Sequence, residues 1–252
     1  MKSFFSKKSI LRTMAVAAVC MLGATSVKAQ EFTIQGDFVS SYVWRGIYQG
    51  GAASFQPTLG FSIGDFSVTA WGSTDFDGNK SSEGLASKEI DLTAAYTLGE
   101  SGPTLSVASL WWAGQGAGKY FNFKSHETAH FFEAGLAYTL PCEKLPLSMA
   151  WYLMFAGADK NEEGKQNYSS YCELNYPFSV KSVDLNATVG FVPYKTYTVG
   201  YGNSGFAFTN VALKATTAIR ITDSFSLPIF AQAIWNPCLE DAHLVFGITL
   251  KP

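Results

Sequence analysis

Apolar and polar residues alternate with a period of two along most of this chain. Glu89, Asp91, Thr93 and Ala95 interleave with Ile90, Leu92, Ala94 and Tyr96. Asp184, Asn186 and Thr188 interleave with Val183, Leu185, Ala187 and Val189, and Asn210, Lys214, Thr216 and Arg220 share a parity opposite to Val211, Leu213, Ala215 and Ile219. Glu133, Ala137 and Thr139 oppose Phe132, Leu136 and Tyr138 in the same way. This is the signature of β-strands with one apolar and one polar face. A sandwich turns the apolar face inward and a membrane barrel turns it out to lipid, so alternation alone does not separate the two.

The turns separate them. A short triplet recurs where strands end: Phe61-Ser62-Ile63, Tyr96-Thr97-Leu98, Tyr138-Thr139-Leu140, Tyr176-Pro177-Phe178, Ile219-Arg220-Ile221 and Ile248-Thr249-Leu250. Each is followed by a short turn or by the end of the chain. The segments on the opposite side are longer and more polar, as in 77–87, 114–125 and 194–205. Six such ends predict six hairpins and twelve strands. Short turns at one end and longer loops at the other are the asymmetry of an outer-membrane barrel, and closure removes the exposed edges an open sheet would carry. Phe61, Tyr96, Tyr138 and Tyr176 stand at matching offsets before their turns, as aromatic residues do at a headgroup boundary. Trp111, Trp151 and Trp235 lie within other strands or near their far ends. The expected fold is therefore all-β, a transmembrane antiparallel barrel of about twelve strands. Its first strand is expected from Phe32 to about Gly46, with Phe32, Ile34, Phe38, Tyr42 and Trp44 toward lipid and Gln35, Asp37, Ser41 and Arg45 toward the lumen.

The N-terminus changes the charge. Lys2, Lys7, Lys8 and Arg12 precede an apolar run, Met14–Ala24, too short to cross a bilayer as a helix, and Val27 and Ala29 suit a cleavage site. Residues 1–29 read as a signal peptide and 30–252 as the barrel. Five of the 18 basic residues and none of the 20 acidic ones fall in the leader, which leaves 13 against 20 and a net charge of −7. That balance argues against a nucleic-acid partner. Beyond the leader, Cys142, Cys172 and Cys238 form neither a disulfide framework nor a C-x-x-C pair. No later apolar run is long enough for a transmembrane helix. The location that fits is the bacterial outer membrane, with lipid and small solutes as partners.

The segments "SSYVWRGIYQ", "VTAWGSTDF" and "EIDLTAAYTLG" resemble the TorF-type porin family of bacterial outer membranes. That family opens its mature part with a Tyr-x-aromatic-Arg-Gly segment and has a later Glu-apolar-Asp strand ending in tyrosine. Ser41 stands where an acidic or amide residue is more usual. The resemblance implies an outer-membrane barrel.

Three constellations bear on chemistry. "HETAH", His126–His130, matches a zinc-protease pattern that needs a helix, where the two histidines sit about 6 Å apart. Here an alternating strand begins at the motif, and four strand residues span roughly 13 Å. The expected role is polar residues at a strand rim. A barrel-wall hydrolase would need a serine beside a histidine on the outer face; His130 has that parity, but no serine carries a motif. The lumen is the third. By parity it holds Asp37, Arg45, Asp75, Glu89, Asp91, Glu133, Glu173, Asp184, Lys214 and Arg220, seven acids and three bases. Five residues before each anchor stand Gln56, Asp91, Glu133, Tyr171, Lys214 and His243. Equal offsets imply equal height, so these six are expected to form or flank a constriction, with Lys214 paired to a carboxylate. The expected function is a non-enzymatic, porin-like channel for passive diffusion of small hydrophilic solutes, weakly cation-selective, needing no cofactor or metal. A plugged barrel with a structural or surface-interaction role is the alternative, and an outer-membrane hydrolase comes third.

Overall fold

The computed structural model describes residues 30–50, 52–76, 88–113, 119–196 and 201–252. The expected leader, 1–29, lies outside them, as do all or part of three expected loops at 77–87, 114–118 and 197–200.

The strands are β1 (Gln30–Val39), β2 (Val43–Trp44), β3 (Ile47–Tyr48), β4 (Ser54–Ile63), β5 (Phe66–Asp75), β6 (Lys88–Thr97), β7 (Thr104–Ala113), β8 (Phe131–Thr139), β9 (Ser148–Gly157), β10 (Ser170–Val180), β11 (Val183–Val192), β12 (Ala207–Arg220), β13 (Ser226–Asn236) and β14 (Asp241–Leu250). There is no helix among the described residues. β1 and β4 to β14 make a closed antiparallel barrel of twelve strands, in which each strand pairs with its sequence neighbours and β14 returns to β1. The remaining two, β2 and β3, form a separate two-stranded hairpin.

The short connections fall at one end: 64–65, 98–103, 140–147, 181–182 and 221–225. The pattern placed these turns well. The largest difference is β10, which runs through to Val180, past the expected stop at Phe178. Register carries one parity around the whole ring. Asp37 faces Gln56, Ser54 faces Asp75, Trp71 faces Asp91, Ala108 faces Glu133, Tyr152 faces Tyr171, Asn186 faces Lys214 and Ile234 faces His243. Directly opposed residues point to the same side of a sheet. All of these therefore share the interior, while Phe32, Leu59, Val68, Leu92, Val107, Leu213, Leu244 and Phe246 point outward and are exposed. The outer face is apolar, while the strand carboxylates and most of the other polar strand positions lie on the inner face, an arrangement a soluble β-sandwich does not have.

The first strand departs from expectation. It ends at Val39, not near Gly46, and the chain then turns into the barrel. Tyr42 and Trp44, expected toward lipid, pack inside. The Tyr42 ring lies 5.5 Å from Trp71, and Trp44 meets Trp112 edge-on at 5.7 Å. The reason is the two-residue link Arg45-Gly46. Both have positive φ, 51° and 84°, the geometry of a type I′ turn, whose twist suits a tight hairpin. A Cβ on Gly46 would stand 1.9 Å from the Thr209 carbonyl oxygen, so the turn needs glycine there.

Candidate functional site: an inward hairpin clamped in the barrel

The hairpin is held at its tip. Arg45 donates from Nη1 to Glu133 Oε2 at 2.7 Å and from Nη2 to Oε1 at 2.9 Å, a bidentate pair across 88 residues of sequence. The side chains are only 11% and 7% exposed. Three rings flank the guanidinium: Trp44 at 4.4 Å, Tyr152 at 4.5 Å and Tyr171 at 4.7 Å from its carbon. A planar cation that can both fork onto a carboxylate and stack on aromatic faces suits this cage, which an ammonium would not fill in the same way. Tyr201 donates its hydroxyl to the Arg45 carbonyl at 2.9 Å, and Asn236 Nδ2 donates to the Gly46 carbonyl at 3.0 Å. Both carbonyls of the tight turn are thus satisfied inside the barrel, as burial demands.

Apolar contacts secure its flanks. Val43 packs on a cluster of Val39, Ala212, Ile234 and Val245. Trp44 packs on Ala108, Leu110 and Met154. Ile47 packs on Tyr171, Val192 and Tyr201. These are inward-facing strand residues and one loop tyrosine, so the loop-side half of the interior is a packed core built around the hairpin.

Twelve of the thirteen residues expected in the lumen point inward by register, and the structure brings several of them to the hairpin. Glu133 and Tyr171 meet Arg45, the thirteenth, which arrives on the hairpin turn rather than on a wall strand. His243 stacks on Tyr48 at 5.8 Å. Asp75, Glu89 and Asp91 lie on adjacent strands beside Tyr42, with Asp75 and Glu89 lining a cavity of about 10 Å³ together with Tyr42, Gln49 and Ser73, room on the scale of one water. Asp75 Oδ1, Glu89 Oε2 and Asp91 Oδ1 are buried without a hydrogen-bond partner among the described residues. Gln56 donates to Ser73 Oγ at 3.4 Å. Glu173 accepts from Tyr171 and Asn175, at 3.0 and 2.9 Å.

The others lie away from it. Asp37 accepts from Gln35 at 3.2 Å, Asp184 accepts from Ser179 at 2.7 Å near the 181–182 turn, and Arg220 pairs with Asp223 at the rim. Among the described residues Lys214 does not form the expected ion pair. Its ammonium lies over the Phe230 ring, 3.9 Å from the centroid, because the inward residue across the ladder diagonal is aromatic.

Tyr152, Tyr201, Asn236, Trp71 and Trp112 also matter to the clamp and were not singled out from the sequence. Trp71 was legible, since it shares parity with Asp75. Tyr201 and Asn236 come from loop and strand end, where no pattern points to the hairpin.

The "HETAH" segment lies outside the barrel wall. His126 is exposed in a loop at φ 65°, and His130 is fully buried immediately before β8. Ser109 Oγ is 2.8 Å from His130 Nδ1, and His130 Nε2 is 2.5 Å from the Tyr120 carbonyl oxygen. A serine does therefore stand beside this histidine on the outer face. Its ring, however, is covered by Tyr120, Phe123 and Phe132. With both nitrogens engaged, the histidine ties loop 119–129 to the wall.

A closed twelve-stranded antiparallel barrel, apolar outside, with its strand carboxylates inside and an inward hairpin, is the class this fold defines. Neither the family models nor the curated proteins compared with the chain match it. Among solved structures it is similar to an outer membrane channel from Pseudomonas putida F1, at 12% identity and a TM-score of 0.40, over 90% of this chain and 95% of that one.

Proposed function

We propose that the protein is an outer-membrane channel of the porin type for small hydrophilic solutes, with the β2–β3 hairpin as its constriction and a weak preference for cations. The observation that carries this reading is the orientation of the barrel, its apolar side chains exposed outward and its strand carboxylates turned inward on the same twelve strands. Exposed Phe32, Ile34, Leu59, Leu92 and Leu244 form a surface that only lipid suits. The wall strands run from nine residues in β8 to fourteen in β12, enough to cross a hydrocarbon core as tilted strands. The TorF-type resemblance of the sequence points the same way. Cation preference follows from the surplus of carboxylates beside the hairpin: Glu133 is neutralised by Arg45, while Asp75, Glu89 and Asp91 form no ion pair among the described residues and give that part of the interior a negative field.

A plugged barrel is the second reading. The three apolar clusters around the hairpin favour it. Planar-bilayer recording of the full chain and of a variant with 41–50 replaced by a short turn separates the two. Small cation-preferring steps that grow several-fold in the variant support the channel. A silent wild type with a conducting variant supports the plug. If neither conducts, the channel reading falls. Fractionation with outer membranes, and gel mobility that changes on boiling, test the location.

A further inference from the structure

The barrel wall is not equally closed around its circumference. β1 pairs with β4 along its full length, from Gln30 opposite Ile63 to Val39 opposite Ser54. Its other edge meets β14 only from Gly36 opposite Leu250 to Val39 opposite Gly247, where β1 leaves the wall for the hairpin. Ser40 makes the last rung: its N–H donates to the Phe246 carbonyl at 2.8 Å, and its Oγ accepts from the Phe246 N–H at 2.9 Å. β14 continues to Asp241 beyond this point, and its ladder there is with β13 alone among the described residues.

A cleft of about 460 Å³ opens where β1 departs. One wall is Phe38 with Phe76 stacked beside it, their ring centroids 6.2 Å apart; Phe246 and Ile248 form the other. The floor is Val39 and Phe230. The walls belong to the outward-facing set, and the two floor residues to the inward-facing set. Val39 is also part of the interior apolar cluster, and Phe230 packs against it. Gly247 makes this possible, since a Cβ there would meet the Phe230 ring at 2.3 Å. Apolar surface is therefore continuous from the outer face, through the wall, to the interior beside the hairpin.

We propose that this seam is a lateral binding site for a chain-like apolar molecule drawn from the lipid phase. Its tail lies between Phe76 and Phe246 and its end rests on Phe230. A polar solute would lose its hydrogen bonds with water there and find only Ser40 and Ser54 to replace them, whereas the size is within the range of small-molecule sites. The cleft opens within the barrel's outer apolar face, so hydrocarbon is the occupant it meets first. This rests on the membrane reading above.

The test uses the full chain in lipid nanodiscs and a dodecanol carrying a terminal alkyl diazirine, photolysed and mapped by mass spectrometry. Adducts on Val39 and Phe230, alongside Phe76 and Phe246, are expected. Ala53 is exposed at the cleft mouth, and Ala53→Trp should abolish the adducts on Val39 and Phe230 while leaving those on Leu92 and Leu213. Adducts on Phe246, Leu92 and Leu213 with none on Val39 or Phe230 would mean ordinary lipid contact and overturn the proposal, as would labelling indifferent to Ala53→Trp. An unlabelled cleft in a concentration-dependent dimer would assign the seam to a second copy and also overturn it. No adducts on any outward residue would remove the membrane reading itself.

Discussion

The two halves of the barrel interior are built from different side chains. Toward the loops, the inward positions are large: Trp71, Trp112, Phe131, Tyr152, Met154, Tyr171 and Ile234, packed against a hairpin. Toward the turns many are small: Ser62 opposite Ser67, Ala95 opposite Ser106, and the hydroxyl pairs Thr97–Thr104 and Thr139–Ser148, each at 2.9 Å, with the charged Asp184 and Arg220 near the rim. Both halves have the same parity and the same wall. What differs is side-chain volume, and volume decides whether a barrel interior is filled or left open. A polar inward position therefore says little about a passage until its size is counted.

The sharpest way to break this contrast is to release the clamp. Glu133→Ala leaves the Arg45 guanidinium buried without its carboxylate, a change that costs about 3–5 kcal/mol when one partner of a buried pair is removed. The hairpin should leave its seat, conductance should rise several-fold, and trypsin should cut after Arg45 in folded protein; a hairpin that stays protected would contradict the clamp. Gly46→Val comes next. Left-handed backbone costs a non-glycine residue about 1–2 kcal/mol, and the added Cβ would collide with the Thr209 carbonyl. The temperature at which the folded gel band is lost should fall, with conductance moving toward that of Glu133→Ala.

Smaller effects sharpen the comparison. Glu89→Gln with Asp91→Asn should lower cation preference, read as a reversal potential closer to zero in a salt gradient, while Asn186→Gln in the turn-side half should leave it unchanged. Equal shifts from both would put selectivity outside the hairpin half. Tyr201→Phe removes one hydrogen bond to the Arg45 carbonyl and should destabilise hairpin docking by about 1 kcal/mol, seen as a modest gain in trypsin cleavage. The smallest effect belongs to the outer loop. Glu127→Ala breaks only an exposed pair with Lys124 at 3.2 Å, worth about 0–1 kcal/mol. It should alter neither conductance nor zinc content; one zinc per chain, lost in this variant, would restore the metalloprotease pattern.

The sequence by itself determined the wall. A strand's faces are set by local alternation, and each turn is written in its own few residues. The strand count, the turn end and the inward parity of Asp91, Glu133 or Lys214 are therefore legible in the order of residues alone. It did not determine where β1 stops. Tyr42, Trp44 and Arg45 continue the alternation of the preceding strand, and that continuity placed two aromatic rings on the wrong side of the wall. Only the closed barrel decides the matter. Twelve strands enclose a space that the aromatic side chains of distant strands line, and into that space a type I′ hairpin can carry Trp44 and Arg45. Arg45 finds Glu133 across 88 residues, Lys214 finds Phe230 in place of a carboxylate, and β14 is left beside a seam where β1 has gone inward. Parity is a property of neighbours along the chain. Clamp, cation–π contact and seam depend on which strands closure brings together, and on the volume left between them.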